Sequence, residues 1–526
     1  MPPIQAKKGV GGPARLRTAV VTVMLSLAGV TAYAQGLGQI GDFQDSGDVG
    51  SPALAGTTAY NPVTQSYALS AGGTNMWANR DEFQFAWRKL SGDFILQAQI
   101  AFVGAGVDPH RKAGLIIRST IEADSPYADA VIHGDGLTSL QFRKTKGAIT
   151  EQIESPVKGA DVVQIERRGS TYVMSVAKFG QPFTTSQVDD LEFGGDVFVG
   201  LALCSHNPAV VERAIFSNVR IIRPAADNFR PYRDYIGSVL EVLDVTTGQR
   251  QSLWTSQQPF EAPNWTRDGA LIVNTSGTDA DWRGRLRRFD LATRQSAVID
   301  TGERIRNNND HVLSPDGTML AISDQSQAGV GSTIYMLPVT GGAPKRITTL
   351  APSYMHSWSP DAKSLVYTGG RTPGQGQPQN LDIYLIAADG SGPEKRLTTA
   401  PGVDDGPEHT SDGKYIYFNS SRSGLMQIWR MAPDGSNQEQ VTNDSFNNWF
   451  PHVSPDGQSI MMISFQKEID PADHPYYKRV YLRVMPVGGG TPRVVAYVYG
   501  GQGTINVPSW SPDGRMVAFV SNTGPY

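Results

Sequence analysis

The 526-residue sequence has one cysteine, Cys204, so no disulfide can form within the chain and a bridge-stapled fold is excluded. Charge is sparse: Asp, Glu, Lys and Arg make up 18% and the formal net charge is −4. No basic run supplies the clustered Lys and Arg that nucleic acid demands. Helical periodicity is missing, and no apolar stretch reaches the roughly 20 residues that a membrane-spanning helix needs. No G-x-S-x-G elbow, P-loop or dinucleotide fingerprint appears, which removes the enzyme classes built on them. The apolar segment AVVTVMLSLAGV (19–30) follows Lys7, Lys8, Arg15 and Arg17 and precedes AYA (32–34). This layout predicts a signal peptide over 1–34 and a mature chain, starting near Gln35, that is periplasmic or secreted. Cys204 sits in VFVGLALC and reads as a buried, inert thiol.

Turn chemistry is abundant instead, with 56 Gly and 34 Pro. Beyond about residue 233 the turns TRDG (266–269), SPDG (314–317), SPDA (359–362), TSDG (410–413), SPDG (454–457) and SPDG (511–514) recur, their Asp residues 44 to 57 apart. Pro fixes φ, Asp bonds its own backbone and Gly accepts positive φ. Each turn is followed by short strand patterns, such as SLVYTG, DIYLIAADG and KRLTT. Four-stranded units at this period read as propeller blades. The C-terminus supplies the first two strands of a sixth unit, and SVLEVLDVTTG (238–248) with RQSLW (250–254) supplies the outer pair. The expectation is an all-β chain whose residues 233–526 form a six-bladed propeller closed by pairing of its N- and C-terminal strands. Residues 36–223, with GDFILQAQIAFV (92–103), AGLIIRS (113–119), VVQIERRGSTYVMSVA (162–177) and VFVGLAL (197–203), read as a β-sandwich. Residues 224–232 read as a linker.

The run P-x-W-S-P-D-G … IY … DG … LT resembles the propeller of TolB-type periplasmic proteins. The loops NNNDHVLSPDG, SYMHSWSPD, DDGPE, NNWFPHVSPDG and GGQGTINVPSWSPDG resemble a bacterial group described as TolB-like or as presumed biopolymer transporters. TolB has a small α/β domain before its propeller, where this chain has strand-like sequence. The strand order of 36–223 is similar to concanavalin-A-like, laminin-G-like sandwiches. Oligogalacturonate lyase, with His and Gln metal ligands at its channel mouth, is built on a related propeller, but no individual residue is carried over.

In a propeller the loops entering the innermost strands crowd one mouth of the channel. Here they carry Glu261, Trp265, Asn307 to Asp310, Tyr354, Asp404, Asp405, Glu408, Asn447, Asn448, Trp449, Gln502 and Asn506. His311, His356, His409 and His452 fall three to five residues before a turn Asp. His311 and His356 share the slot that holds Pro263, Pro407, Pro451 and Pro508 elsewhere. With Asp310 and His452 they are candidate ligands of a divalent metal, Ca2+, Mn2+ or Zn2+; the alternative is a histidine that bonds a neighbouring backbone. Asp405 and Glu408 read as a catalytic acid/base pair, as metal ligands or as solvated loop charge. Asn308, Asn309, Tyr354, Asn448, Trp449, Gln502 and Asn506 form the mix that stacks on and hydrogen-bonds sugars. Asp42, Asp45 and Asp48 read as a Ca2+ site or a solvated turn.

The expected function is an exported TolB-like protein that binds a carbohydrate or envelope polymer at the channel mouth. As an enzyme it would be a metal-assisted polysaccharide lyase or glycoside hydrolase. The alternative is a non-catalytic scaffold of Tol or transport type with a protein or peptide partner. No nucleic acid partner and no transmembrane segment are expected.

Overall fold

A computed structural model describes residues 40–230, 233–277, 279–372 and 379–524. The predicted signal peptide lies outside the described residues. Among those residues every regular element is a strand, and no helix is long and apolar enough to cross a membrane. Residues 39–526 cluster as one unit.

Two seven-stranded antiparallel sheets occupy the first part of that unit. Strand Phe94–Phe102 shows how one sequence serves two interfaces. Phe94, Leu96, Ala98 and Ile100 point into the core shared with Leu115, Ile117, Val163, Ile165, Leu201 and Leu203, while Ile95 and Gln97 alternate to the other face. The adjacent strand Phe83–Ser91 pairs with Asp45–Val49, an element the sequence patterns missed. Asp45 and Asp48 lie in that paired strand, and Asp48 accepts the Gly56 amide at 3.0 Å. Cys204 is buried, and burial pushes its thiol up to about 12.

Five four-stranded antiparallel sheets follow, and a three-stranded sheet joins Met516–Ser521 to Ser238–Asp244 and Arg250–Ser256. Trp510 adds a bridge to Val517. These are the six blades, numbered by their turns from TRDG to the last SPDG. In each turn the Ser or Thr hydroxyl donates to the turn Asp, as from Ser314 to Asp316 at 2.6 Å and Thr410 to Asp412 at 2.7 Å. The fourth position takes positive φ, so SPDA holds Ala362 at φ 58°, where Gly317 sits at 74°.

The first strand of every blade from one to five is broken by a bulge. Register slips between Glu261 and Asn264, Asn307 and His311, Met355 and Ser357, Asp405 and Glu408, and Trp449 and His452. Pro263, Pro407 and Pro451 lie inside three of these, where a missing N–H removes no ladder bond. Blade 2 differs: four residues from Asn307 to His311 span two on its partner strand, Asp324 to Ile322. In blade 3 two residues, Met355 to Ser357, span one, Tyr367 to Val366.

The two-sheet part is fixed to the propeller. Ile95 and Ile222 pack with Tyr476, Tyr477 and Tyr499, and Val162 and Ala177 with Tyr481, Val494 and Tyr497. Gln97 donates to the Tyr497 carbonyl at 3.3 Å. Glu166 pairs with Arg479. Glu241 is fully buried between Arg220 and Arg250, both at 2.7 Å. The expected linker is packed too: Ala225 donates to the Tyr499 hydroxyl at 2.8 Å and Phe229 lies 4.6 Å from the Tyr477 ring.

Burial pushes the Glu241 carboxyl up, but the two guanidiniums outweigh it and hold it at about 2. Its contribution to stability is therefore full above the ordinary Glu range and is lost as pH falls toward 2. Glu241→Ala leaves Arg250 buried without its partner. It should cost about 3–5 kcal/mol, read as a drop in midpoint and in resistance to denaturant at pH 7.

Candidate functional site

The bulges decide which side chains meet. Residues after the bulge, Trp265, Leu313, Trp358, His409 and Trp510 among them, line a funnel of about 660 Å³ together with turn prolines 315, 455 and 512. This is the Asp-Gly end of the channel. Residues before or inside the bulge gather at the other end.

There Asp405 of blade 4 accepts from His356 Nε2 of blade 3 at 3.1 Å and from Thr368 Oγ1 at 2.6 Å. Asp310 of blade 2 accepts from Asn308 at 2.9 Å and lies in the fields of His356, Asp405 and Glu261. Glu261 of blade 1 accepts from Asn274 Nδ2 at 3.1 Å and from the Tyr476 hydroxyl. The connection between the second and third strands of blade 5 brings in His474, edge-on to Trp449 at 4.4 Å and to Phe450 at 5.2 Å. The loop entering blade 6 places Gln502 beside it. Six blades thus contribute one polar side chain each: Glu261, Asp310, His356, Asp405, His474 and Gln502.

The ring is unevenly charged. Burial pushes Asp310 up to about 7, with Asp405 and Glu261 adding to the rise against the pull of His356. Burial likewise raises Glu261. Burial also acts on Asp405, but the hydrogen bond and charge of His356 hold it at about 2. His356 is raised in turn: Asp405 and Asp310 overcome its desolvation. Burial lowers His474, which leaves His356 as the cation of the ring.

Of the sequence-predicted residues, Asp310, His356, Asp405, Asn308 and Gln502 meet here, and Tyr354 stands half-buried in the fields of Asp310 and Asp405. His311 does not. Its Nε2 donates to the Ile272 carbonyl of blade 1 at 3.3 Å. The larger bulge of blade 2 takes it out of step with His356, so the two imidazoles expected on one cation part. His452 is engaged at both nitrogens, by Glu408 Oε2 at 2.6 Å and by the Ile505 carbonyl. Glu408 also accepts the Val453 amide at 2.9 Å. It therefore works at the Asp-Gly end of the channel, in a different network from Asp405, and the expected acid/base pair does not form. Among the described residues no group of three or more His, Cys, Asp or Glu is placed to hold a metal ion.

The expected sugar-binding set is dispersed as well. Trp449 is 1% exposed in the core of blade 5 and has no face to offer a ligand. Asn448 is buried with Arg483, Ser464 and Asp444. Asn506 accepts the Gly503 amide at 2.6 Å, and Asn309 is buried. His474 and Tyr476 escaped the sequence reading because they lie on the connection between the second and third strands of blade 5 rather than in a loop entering an innermost strand. The length of the 467–477 connection was the available signal.

A family model described as the TolB beta propeller domain matches residues 374–525. An uncharacterized protein of Agrobacterium fabrum is 43% identical over 284 residues, covering 54% of this chain and 92% of its own length. The solved structure of a putative TolB from Agrobacterium tumefaciens aligns at a TM-score of 0.51 and 42% identity, covering 56% of this chain and 100% of that one. The Tol-Pal system protein TolB of Francisella tularensis is 27% identical over 40% of this chain and 46% of its own length, so the chain spans about half of that relative. The chain is an all-β six-bladed propeller protein, and it belongs to the TolB-like β-propeller family.

The Asp310 carboxyl keeps its proton in the folded chain up to about pH 7, whereas the unfolded chain releases it in the ordinary Asp range. Stability should therefore fall as pH rises between the two values. Asp310→Asn, facing unchanged Glu261, His356 and Asp405, should match wild type near pH 4 and exceed it by several degrees of melting temperature at pH 8. Identical pH profiles in a circular-dichroism melt would refute this assignment.

Proposed function

We propose that this chain is an exported, non-catalytic envelope protein whose channel mouth docks a protein partner, a scaffold of Tol type in the periplasm. One observation carries the reading. Ile305 and Leu350 stand 42% and 51% exposed in the loops that enter the innermost strands of adjacent blades 2 and 3. Exposed large aliphatics around a polar recess are how protein-docking faces are built. The separate networks of Asp405 and Glu408 favour binding over general acid/base chemistry. The family supports the same direction, since a relative is named for the Tol-Pal system. In this reading the two packed sheets are a concanavalin-A/laminin-G-like sandwich, and pairing of Ser238–Asp244 with Met516–Ser521 closes the ring.

Binding of a carbohydrate or envelope polymer is the second reading, favoured by the half-buried Tyr354 and Gln502 at the same mouth. Photo-cross-linking from position 305 in cells separates the two. A discrete protein adduct is expected, and Leu350→Asp should weaken it by about tenfold or more without lowering the melting temperature. No protein adduct, with a shift in melting temperature on adding envelope glycans, would support the second reading and sink the first.

A further inference from the structure

We propose that the polar ring receives an ammonium group, carried into the channel mouth on a lysine side chain of the partner. The proposal rests on the protein-docking reading above and names what that partner must bring.

The first ground is charge. Glu261, Asp310 and Asp405 share one ring, and the His356 imidazole is taken by Asp405 at 3.1 Å. Among the described residues Glu261 and Asp310 have only neutral hydrogen-bond partners: Asn274 and Tyr476 for one, Asn308 for the other. Two buried carboxyl groups without a hydrogen-bonded cation of their own are costly to ionise, and a ligand that brings a positive charge lowers that cost.

The second ground is independent of charge. Asn274, 1% exposed, uses its amide nitrogen on Glu261, while its Oδ1 has no partner. Gln502, on the adjoining loop of blade 6, is engaged by His474. The open valence of Asn274 is an acceptor, so the group it awaits is a donor. An ammonium has three N–H donors and no acceptor, which matches two carboxylates and an amide oxygen.

The third ground is burial. The Asp405 and His356 side chains are 13% and 5% exposed, so a group that meets them is carried in on a side chain rather than on a folded surface. Lysine places a compact charge on an unbranched stem, whereas arginine brings a broad planar fork.

The test uses the mature protein, calorimetry and thermal shift. Its probes are the peptide Ac-Gly-Lys-Gly-NH2, the same peptide acetylated on the lysine, 1,5-diaminopentane, and CaCl2. The lysine peptide is expected to bind and raise the melting temperature, and the acetylated peptide to do neither. Glu261→Gln and Asp310→Asn should each weaken the lysine peptide by about tenfold or more, as loss of a charged hydrogen-bond partner does. Both ring variants are near-isosteric, and unchanged circular dichroism confirms that they fold. Equal binding of the acetylated peptide, binding of diaminopentane alone, or stabilisation by CaCl2 alone would each overturn the proposal. If the lysine peptide fails while the cross-linked protein adduct persists, the ammonium inference falls and the docking reading stands.

Discussion

The innermost strand of a blade has a hydrogen-bonding neighbour on one side only, and its other edge faces the channel, where no further strand fits. Satisfying that free edge is the constraint on which the rest of the propeller depends. Side chains of the neighbouring blade do it. Leu313 N donates to Asn264, Met355 N to Ser323, His409 N to Ser357, Phe450 N to Asn419 and Val453 N to Glu408. In the other sense, Trp358 donates to the Val312 carbonyl, Trp510 to that of His452, His311 to that of Ile272 and His452 to that of Ile505. Each blade thus completes the next, and the ring is held by polar bonds on the inside and apolar contacts further out.

This explains why the architecture was legible in the sequence and the site was only half so. Pro-Asp-Gly turns are local chemistry, so six of them at a fixed period announce six blades whatever their surroundings. The histidines before those turns were a true signal with two meanings. His311 and His452 cap a neighbouring strand, while His356, one blade from His311 and in the same sequence slot, faces Asp405. What separates them is the size of a bulge, four residues against two in blade 2 and two against one in blade 3. A bulge adds a residue without a compositional mark when no proline sits in it, so equal spacing from the turn does not mean an equal face. Trp449 misled for a related reason: in an entering loop it read as a sugar-stacking face, and the structure closes His474 and Phe450 over it.

The ring that escapes capping duty is where local rules are broken. Asp405 is compensated by His356, and Glu408 by His452. Glu261 and Asp310 are buried to a similar degree with amides and a phenol in place of a cation. Neutral hydrogen bonds lessen the desolvation of a carboxylate but do not cancel it, which is why both are pushed up. A scaffold as tightly bonded as this one can hold such groups in place, and carboxyl groups fixed on rigid strands short of a cation suit a preorganised recognition site.

The two-sheet part enters this picture through one short connection. Between the second and third strands of blade 5, His474 lies in the ring, Tyr476 donates to Glu261, and Tyr477 accepts the Ile236 amide at 2.8 Å while packing on Phe229 and Tyr499. Tyr477 is held at φ 59°, a region that a bulky residue leaves unless its surroundings fix it. Those surroundings belong to both parts of the chain: Ile95 and Ile222 of the sheets and Tyr499 of the propeller. The geometry around Glu261 therefore depends on the sheets being seated. The sheets thus pack directly against the connection that carries His474 and Tyr476.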